Sequence, residues 1–506
     1  MSEAVSELLA PFPGPWDERA AAHLLNRTGF SAQPEEIQRL LKDGPDVSLQ
    51  RILDYESTPE EWPKPECALM ADEDFVPRKG LTEEEKKAKL KEVREKMMDL
   101  EMWWPRRMLS TTRPLQEKLT LFWHGHFATA RDKVKNPYLM WLQNETLRRH
   151  ARGNFRQMVL EISQDPAMIL WLDNNSNHKE HPNENYAREL MELFTLGEGN
   201  YTEQDIKESA RAFTGWGYNR REMSFEFQPR QHDNGPKTFM GREGNWDGAD
   251  IVKTIFDQPA CARFIVRKLW SFFAYENAED ELVESLAQLL RDAHYELRPL
   301  LWKMFSCRAF YSDRAVRTQI KSPIQLVIGS FHLLKKDFHE TEQFAKLILN
   351  VLRLMGQEPF NPPNVKGWDG GLTWVNTASL LLRYNFASYL VHGVPPEMML
   401  GKKQRMPNGE VKPEVLRMLQ QHSEPLKIDP ICHRDQLGTS IQTVKFFCNY
   451  LWNDQPDDET FRQFVSYLDT NEIGGSYQFR PANPNADQKI RGVIHLMMST
   501  PQYQVC

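Results

Sequence analysis

"NENYARELMELFTLGEGNYTEQDIKESARAF", residues 183–213, decides the fold class. Its apolar residues recur at helical spacing and do not alternate. Ile206, Ala210 and Phe213 fall at i, i+4 and i+7, which is one helix face. Thr202 with Asp205 three residues on is a capping box that starts this segment. The preceding segment has Tyr186, Leu190, Leu193 and Phe194 as its apolar face and stops at Gly197, a good C-terminal cap. Asn185, Glu189 and Glu192 form a second, polar stripe on it. Glu184 and Arg188 have the i,i+4 spacing of an ion pair.

The same reading extends along the chain. "GLTEEEKKAKLKEVREKMMDLEMWW" (80–104) opens on a capping box, Thr82 with Glu85, and reads as a charged helix. Period-2 alternation is rare; the best case is "EMSFEFQP" (222–229), one short hairpin strand. It sits in a Gly-, Asn- and Asp-rich loop, 219–250, of a length that is usually functional or disordered. The pattern predicts a mainly all-α protein, a large multi-helix bundle of one or two lobes with this long loop and at most a small β-hairpin. We expect a main helical domain over 1–395, a linker over 396–425 and a C-terminal helical unit over 426–506 packed on the main domain. That last unit is a weak repeat of 261–312: each copy runs aromatic helix, acidic turn, helix, then a helix ending in an aromatic.

Composition sets the class. The 506 residues are 40% hydrophobic, 26% charged and 11% aromatic, with a net charge of −7. That balance is globular and does not suggest a nucleic-acid binder. The most apolar stretches are broken by Arg or Asn before the ~18 residues a membrane span needs, so no membrane partner is expected. The N-terminus lacks a basic n-region and a continuous apolar h-region. A cytoplasmic protein is therefore expected, with export open if a leader has been trimmed. The six cysteines are scattered, with no C-x-x-C pair, and read as reduced, mostly buried thiols.

Four constellations could carry chemistry. In "LFWHGHFATA" (121–130), His124 and His126 flank Gly125. On a helix such residues lie about 200° apart and cannot share an ion. Joint ligation needs the backbone to leave the helix at Gly125. The alternative is that one His caps a helix end and the other hydrogen-bonds in the core. In "DNNSNHKEHPNE", Asp173, Asn175, Asn177 and Glu184 stand at the oxygen-ligand positions of a calcium loop. His178 replaces the glycine that loop requires, and the alternative is an Asn-rich turn capping the next helix through Asn183. Glu189 and Glu192 beside His ligands would suit iron, manganese or zinc, although surface helices carry Glu stripes routinely. "HDNGPKTFMG" places His232 and Asp233 as a ligand, or as a base with its orienter, before an Asn-Gly turn. Asp247 and Asp250 are weaker candidates of the same kind. Trp368 and Trp374 would wall a pocket or pack a corner. No G-x-S-x-G elbow, phosphate-binding Gly-rich loop, H-E-x-x-H or haem attachment motif occurs.

Together "FWHGHF", "PNENYARELMELFTLGEGNYTEQDIKESARAFTGW", "HDNGPKTFMG", "QPACARFIVRKLW", "PPNVKGWDGGLTWVNT" and the closing "KIRGVIHLMMSTPQYQ" resemble the signature blocks of the bacterial domain-of-unknown-function 1800 family. The resemblance implies a mostly helical protein without an established activity. It also implies a neighbourhood of sulfatase-like domain-of-unknown-function 1501 proteins and, in many members, export. Because the blocks coincide with the polar groups above, we expect a metal-dependent enzyme of unknown small-molecule or polymer substrate. His124, His126, Glu189 and His232 would be metal ligands, with Asp233 and Arg188 as catalytic supports and Glu184 behind them. Iron or manganese would suit an oxidoreductase, zinc a hydrolase. The rivals are a non-catalytic scaffold for a sulfatase-like partner protein and a domain stabilised by calcium at 173–184.

Overall fold

A computed structural model of the chain describes residues 2–69, 80–393, 399–400, 406, 410, 412–413, 424–471 and 473–506. The expected linker, 396–425, lies mostly outside them. The protein is mainly α-helical. It divides into two compact units, each assembled from distant parts of the chain. The first comprises Met1–Pro13, Leu49–Ser312 and Pro359–Asp369; the second comprises Gly14–Ser48, Asp313–Glu358 and Gly370–Cys506.

In the first unit the Glu83–Ser110 helix starts where its capping box places it. The Glu85 amide donates to Thr82 Oγ1 (3.3 Å), and the Thr82 amide donates back to the Glu85 carboxylate (2.6 Å). Its charged first half is solvated; its second half buries Met97, Leu100, Trp104 and Met108. The Pro114–His126 helix is buried on every side from Leu115 to His124, the signature of a central core helix. Trp123 on this helix stacks with Phe127 and Phe155, and Trp104 packs against His124, each aromatic contributing on the order of 2–3 kcal/mol by burial. The Trp123 indole keeps a polar partner, donating to the Ala151 carbonyl (2.8 Å).

Glu117 on that helix is fully buried. It accepts from Arg148 Nε (2.7 Å) and Nη2 (3.0 Å) and from the Trp104 indole (2.8 Å), and it pairs with Arg107 Nε at 2.9 Å. Burial alone would raise this carboxyl, but Arg148 and Arg107 hold it below the usual carboxylate range.

The 219–250 region contains more structure than its composition suggests. β1 (Trp216–Asn219) pairs antiparallel with β2 (Ser224–Phe227), Trp216 opposite Phe227. β3 (Lys237–Phe239) pairs with β4 (Arg242–Gly244). There are thus two small hairpins where one strand was expected, because β3 and β4 are too short for alternation to register. The loop is anchored: the Met240 amide donates to Asp205 (2.7 Å) and the Thr238 amide to Glu208 (3.1 Å), both on the Glu203–Ala212 helix.

The second unit is built on the buried Pro323–Leu333 helix with Glu18–Thr28, Glu342–Met355, Thr377–His392, Ser440–Trp452 and Ala486–Met498. The two segments compared in the sequence hold these elements. Pro259–Phe273, Asp280–Asp292, Leu297–Ser306 and the 3-10 turn Arg308–Tyr311 form one in the first unit. Ser440–Trp452, Asp458–Leu468, Ala486–Met498 and the 3-10 turn Pro501–Gln504 form the other in the second. Among the described residues no helix is long and apolar enough to cross a membrane, and all six cysteines are free and buried.

Candidate functional site

The helix does not break at Gly125. It runs through to His126, and the Phe127 amide closes its last turn on the Trp123 carbonyl (2.8 Å). His124 and His126 therefore point into separate aromatic cages. His124 is 1% exposed, edge-on to Trp104 (5.3 Å between centroids) and tilted against Phe360 (5.4 Å) and Trp368 (5.7 Å). Its Nε2 has no hydrogen-bond partner. Burial pushes its pKa down to about 3, so the ring is neutral. His126 is 2% exposed, between Phe127 (4.5 Å), Trp123 (5.5 Å) and Phe194 (6.0 Å). Its Nε2 donates to the Phe194 carbonyl (3.0 Å), and its Nδ1 is unpartnered. Burial, helped by the nearby Lys268 charge, lowers its pKa far below the ordinary value.

The glycine has another use. Gly367 (φ +83°) sits directly on Gly125, and a Cβ on Gly367 would lie 2.0 Å from the Gly125 carbonyl oxygen. A Cβ on Gly125 would meet only the Trp368 ring, at an ordinary 3.6 Å. Two signature blocks, "FWHGHF" and "PPNVKGWDGG", thus meet backbone to backbone, and the indispensable glycine is the second one.

His232 and Asp233 face other partners. His232 Nδ1 donates to the Thr214 carbonyl (2.9 Å). Asp233 accepts from Arg211 Nε (2.7 Å) and from the Gly235 amide (2.8 Å), so it ties its loop to the Glu203–Ala212 helix and does not orient His232. Burial works to raise the Asp233 carboxyl, but Arg211 and the Gly235 amide hold it below the usual range. Among the described residues, no three or more His, Cys, Asp or Glu side chains are grouped to hold a metal ion.

Three of the four expected calcium-loop residues engage protein groups. The Asp173 carboxylate pairs with Lys133 (2.8 Å), and its backbone takes the left-handed conformation (φ 58°). Asn175 is exposed. The buried Asn177 donates to the Ala210 carbonyl (2.9 Å) and accepts from the Asn183 amide (2.9 Å). Asn183 Oδ1 accepts from the Asn185 amide (3.0 Å) at the helix start. Glu184 pairs with Arg188 (3.2 Å), whose guanidinium also grips Glu203 (2.8 and 3.0 Å).

What spacing did not disclose is a change of helix type. The Asn185–Glu189 helix passes into a π-helix over Leu190–Thr195, whose Leu196 amide reaches back to Met191 (2.8 Å). Such wide turns are rare and concentrate at functional sites. Glu192 stands on this one, and Glu189 caps it as the last residue of the preceding α-helix. Glu189 is half-buried; burial and then the Glu192 charge raise its proton affinity, against Arg188 and Lys366. Glu192 accepts from the Tyr201 hydroxyl (2.9 Å). Lys366 neighbours Gly367, so the polar stripe of "NENYAREL" does approach the segment lying on Gly125.

Two lysines also escaped the sequence reading. Lys268 stands 5.2 Å from the Phe264 ring centre, and burial pushes its amine down to about 8. Lys118 is buried, 5.8 Å from the Phe272 ring. Their signal was a lysine at apolar-face spacing: 118, 122, 126 on one helix and 264, 268, 272 on another.

Comparison with curated proteins and with solved structures finds no match. The model of the family described as "Protein of unknown function (DUF1800)" matches residues 23–505, nearly the whole chain, and the protein therefore belongs to that family.

Proposed function

We propose that this protein is an enzyme working by general acid–base chemistry, a hydrolase whose proton-transfer group is Glu189. The observation that supports this reading is the junction of the α-helix with the π-helical segment, where Glu189, a half-buried carboxyl of raised proton affinity, lies beside a second carboxylate, Glu192, held by Tyr201. Two carboxyls in unlike environments divide acid and base roles. Lys366 supplies positive charge beside them and favours an anionic substrate. The test is a panel of chromogenic carboxylic-ester, phosphoester and glycoside substrates with wild-type protein and Glu189→Gln. Turnover that falls about 100-fold or more in the variant, at unchanged melting temperature, supports the assignment. A Glu189→Gln variant as active as wild type rejects it.

A second reading, a metal-dependent enzyme using iron, manganese or zinc, draws on one observation: the buried Nε2 of His124 and Nδ1 of His126 lack partners. A neutral imidazole nitrogen in that state is a ready ligand. Elemental analysis of purified wild type and His124→Ala decides it. Stoichiometric metal that disappears in the variant favours it; folded, metal-free and active wild type ends it. Thermal unfolding with and without chelator tests calcium at Asp173–Glu184 in the same preparation.

A further inference from the structure

Among the described residues, the second unit buries three cations near its C-terminal segment and pairs none of them. Arg27 and Arg383 are each 1% exposed and Lys321 is 8% exposed. Arg27 Nη2 donates to the Ala315 carbonyl, but its Nε and Nη1 have no acceptor. Arg383 donates from Nη2 to the Lys321 carbonyl (2.9 Å) and from Nη1 to Gln504 Oε1 (3.3 Å), while its Nε has no acceptor. Lys321 Nζ donates to the Tyr503 carbonyl (2.8 Å) and lies 4.1 Å from the Tyr503 ring centre. Among the described residues none of the three makes an ion pair.

They gather around one stretch of chain. The Lys321 amide donates to the Gln504 carbonyl (2.8 Å). Gln325 Nε2 reaches the Asn26 carbonyl (3.2 Å), next to Arg27, and the Cys506 sulfur (3.3 Å). Among the described residues Cys506 is the one weakly acidic group that faces both Arg27 and Lys321, and Lys321 also feels Arg317, itself paired with Asp454 (3.1 Å), and Arg383. One weakly acidic thiol against three cations leaves the cluster positive. Burial does push Lys321 down to about 8 and Arg383 down to about 10. Loss of the Lys321 proton would still leave two guanidiniums, which stay charged at neutral pH. Buried N–H donors of a charged guanidinium are rarely left empty, and an unseen ion is a standard resolution.

We infer that Arg27 Nε and Nη1, Arg383 Nε and the Lys321 amine form a binding site for a small inorganic anion, a halide or a tetrahedral oxyanion, inside the second unit. The anion supplies both the missing acceptors and the missing charge. Its binding holds together the Glu18–Thr28 helix, the Thr377–His392 helix and the 501–506 segment.

The experiment is thermal unfolding of the full chain, dialysed into sodium gluconate and titrated with chloride or phosphate at matched ionic strength. A saturable rise in Tm is expected, roughly 5 °C once the anion exceeds its Kd about 100-fold. The anion that saturates at the lower concentration names the class. Arg27→Gln and Arg383→Gln should lose the saturable rise. Equal Tm in all three salts, or a full rise in both variants, overturns the site. If the variants fail to fold, wild-type crystals grown in sodium bromide give the readout. An anomalous peak beside Arg27 Nε or Arg383 Nε supports the site, and a featureless map there overturns it.

Discussion

The first unit surrounds one buried carboxylate with two arginines; the second gathers three buried cations that, among the described residues, have no carboxylate partner. Around Glu117 every charge is answered: Arg148 and Arg107 meet it, and Arg107 also pairs with Glu60 (3.5 Å) and Glu145 (3.7 Å). Around Lys321 the neighbours are carbonyls, a glutamine, a tyrosine ring and Cys506, with Arg317 and Arg383 adding like charge. The difference shows that burial of charge is not one motif. A closed network is a structural node that needs nothing from solution, whereas an open one asks for a ligand.

The strongest challenge to that contrast is Glu117→Ala. It takes the shared, fully buried carboxylate from Arg148 and Arg107, leaving them, among the described residues, only Glu145 and Glu60 as acids, and should cost about 3–5 kcal/mol in urea unfolding. A loss under about 1 kcal/mol would mean the network is not closed as described. Next is the same substitution made in both clusters. Arg148→Met should cost about 2–4 kcal/mol, since Glu117 loses its main partner, while Arg383→Met in anion-free buffer should be neutral or stabilising because it removes an uncompensated charge. Equal costs would erase the distinction.

Acid sharpens the comparison within the first unit, between charges answered by partners and imidazoles kept neutral by packing. Glu117 titrates lower folded than unfolded, so its contribution persists at neutral pH and is lost as pH falls through its depressed folded value. His124 titrates at about 3 folded and near 6.5 unfolded. The unfolded state therefore takes up the proton first. Stability is full above about pH 6.5 and falls as pH drops towards 3, by up to about 1.4 kcal/mol per pH unit. Asp165, fully buried and raised to about 7, acts in the opposite sense, losing stability as pH rises from its unfolded value. Because Asp165 is common to both proteins, the measurement is the difference between wild type and His124→Phe. The variant should show the shallower loss between pH 7 and 5, and parallel curves would place the His124 proton elsewhere.

The smallest expected effect concerns the two glycines that touch. Gly367→Ala must relieve both a 2.0 Å clash and a left-handed backbone, costing about 1–2 kcal/mol or more. Gly125→Ala, in a regular helix with an open 3.6 Å contact, should change stability by no more than about 1 kcal/mol and in the favourable direction. Denaturation midpoints of the pair settle which block needs its glycine.

Much of the secondary structure was legible because its signals are local. Thr82 and Thr202 start their helices through contacts three residues away, and Arg188 meets Glu184 one turn back. β2 alternates over enough residues to show. The candidate site was legible only in part. Glu189 and Glu192 stand in the polar stripe that spacing revealed, but the π-turn that seats them has no sequence period of its own. His124 and His126 looked like one pair because they are two residues apart, and the unbroken helix sends them into different cages. Lys268 was hidden because a lysine in an apolar run reads as solvated until its surroundings are known.

The sequence by itself determined an α-helical chain of this family and many of its helix starts and stops, since these depend on neighbours within a few residues. Tertiary structure alone decided which polar groups are answered. Residues 27, 321 and 383 are far apart in the chain, and only packing removes them together from water and makes their unpaired charge matter.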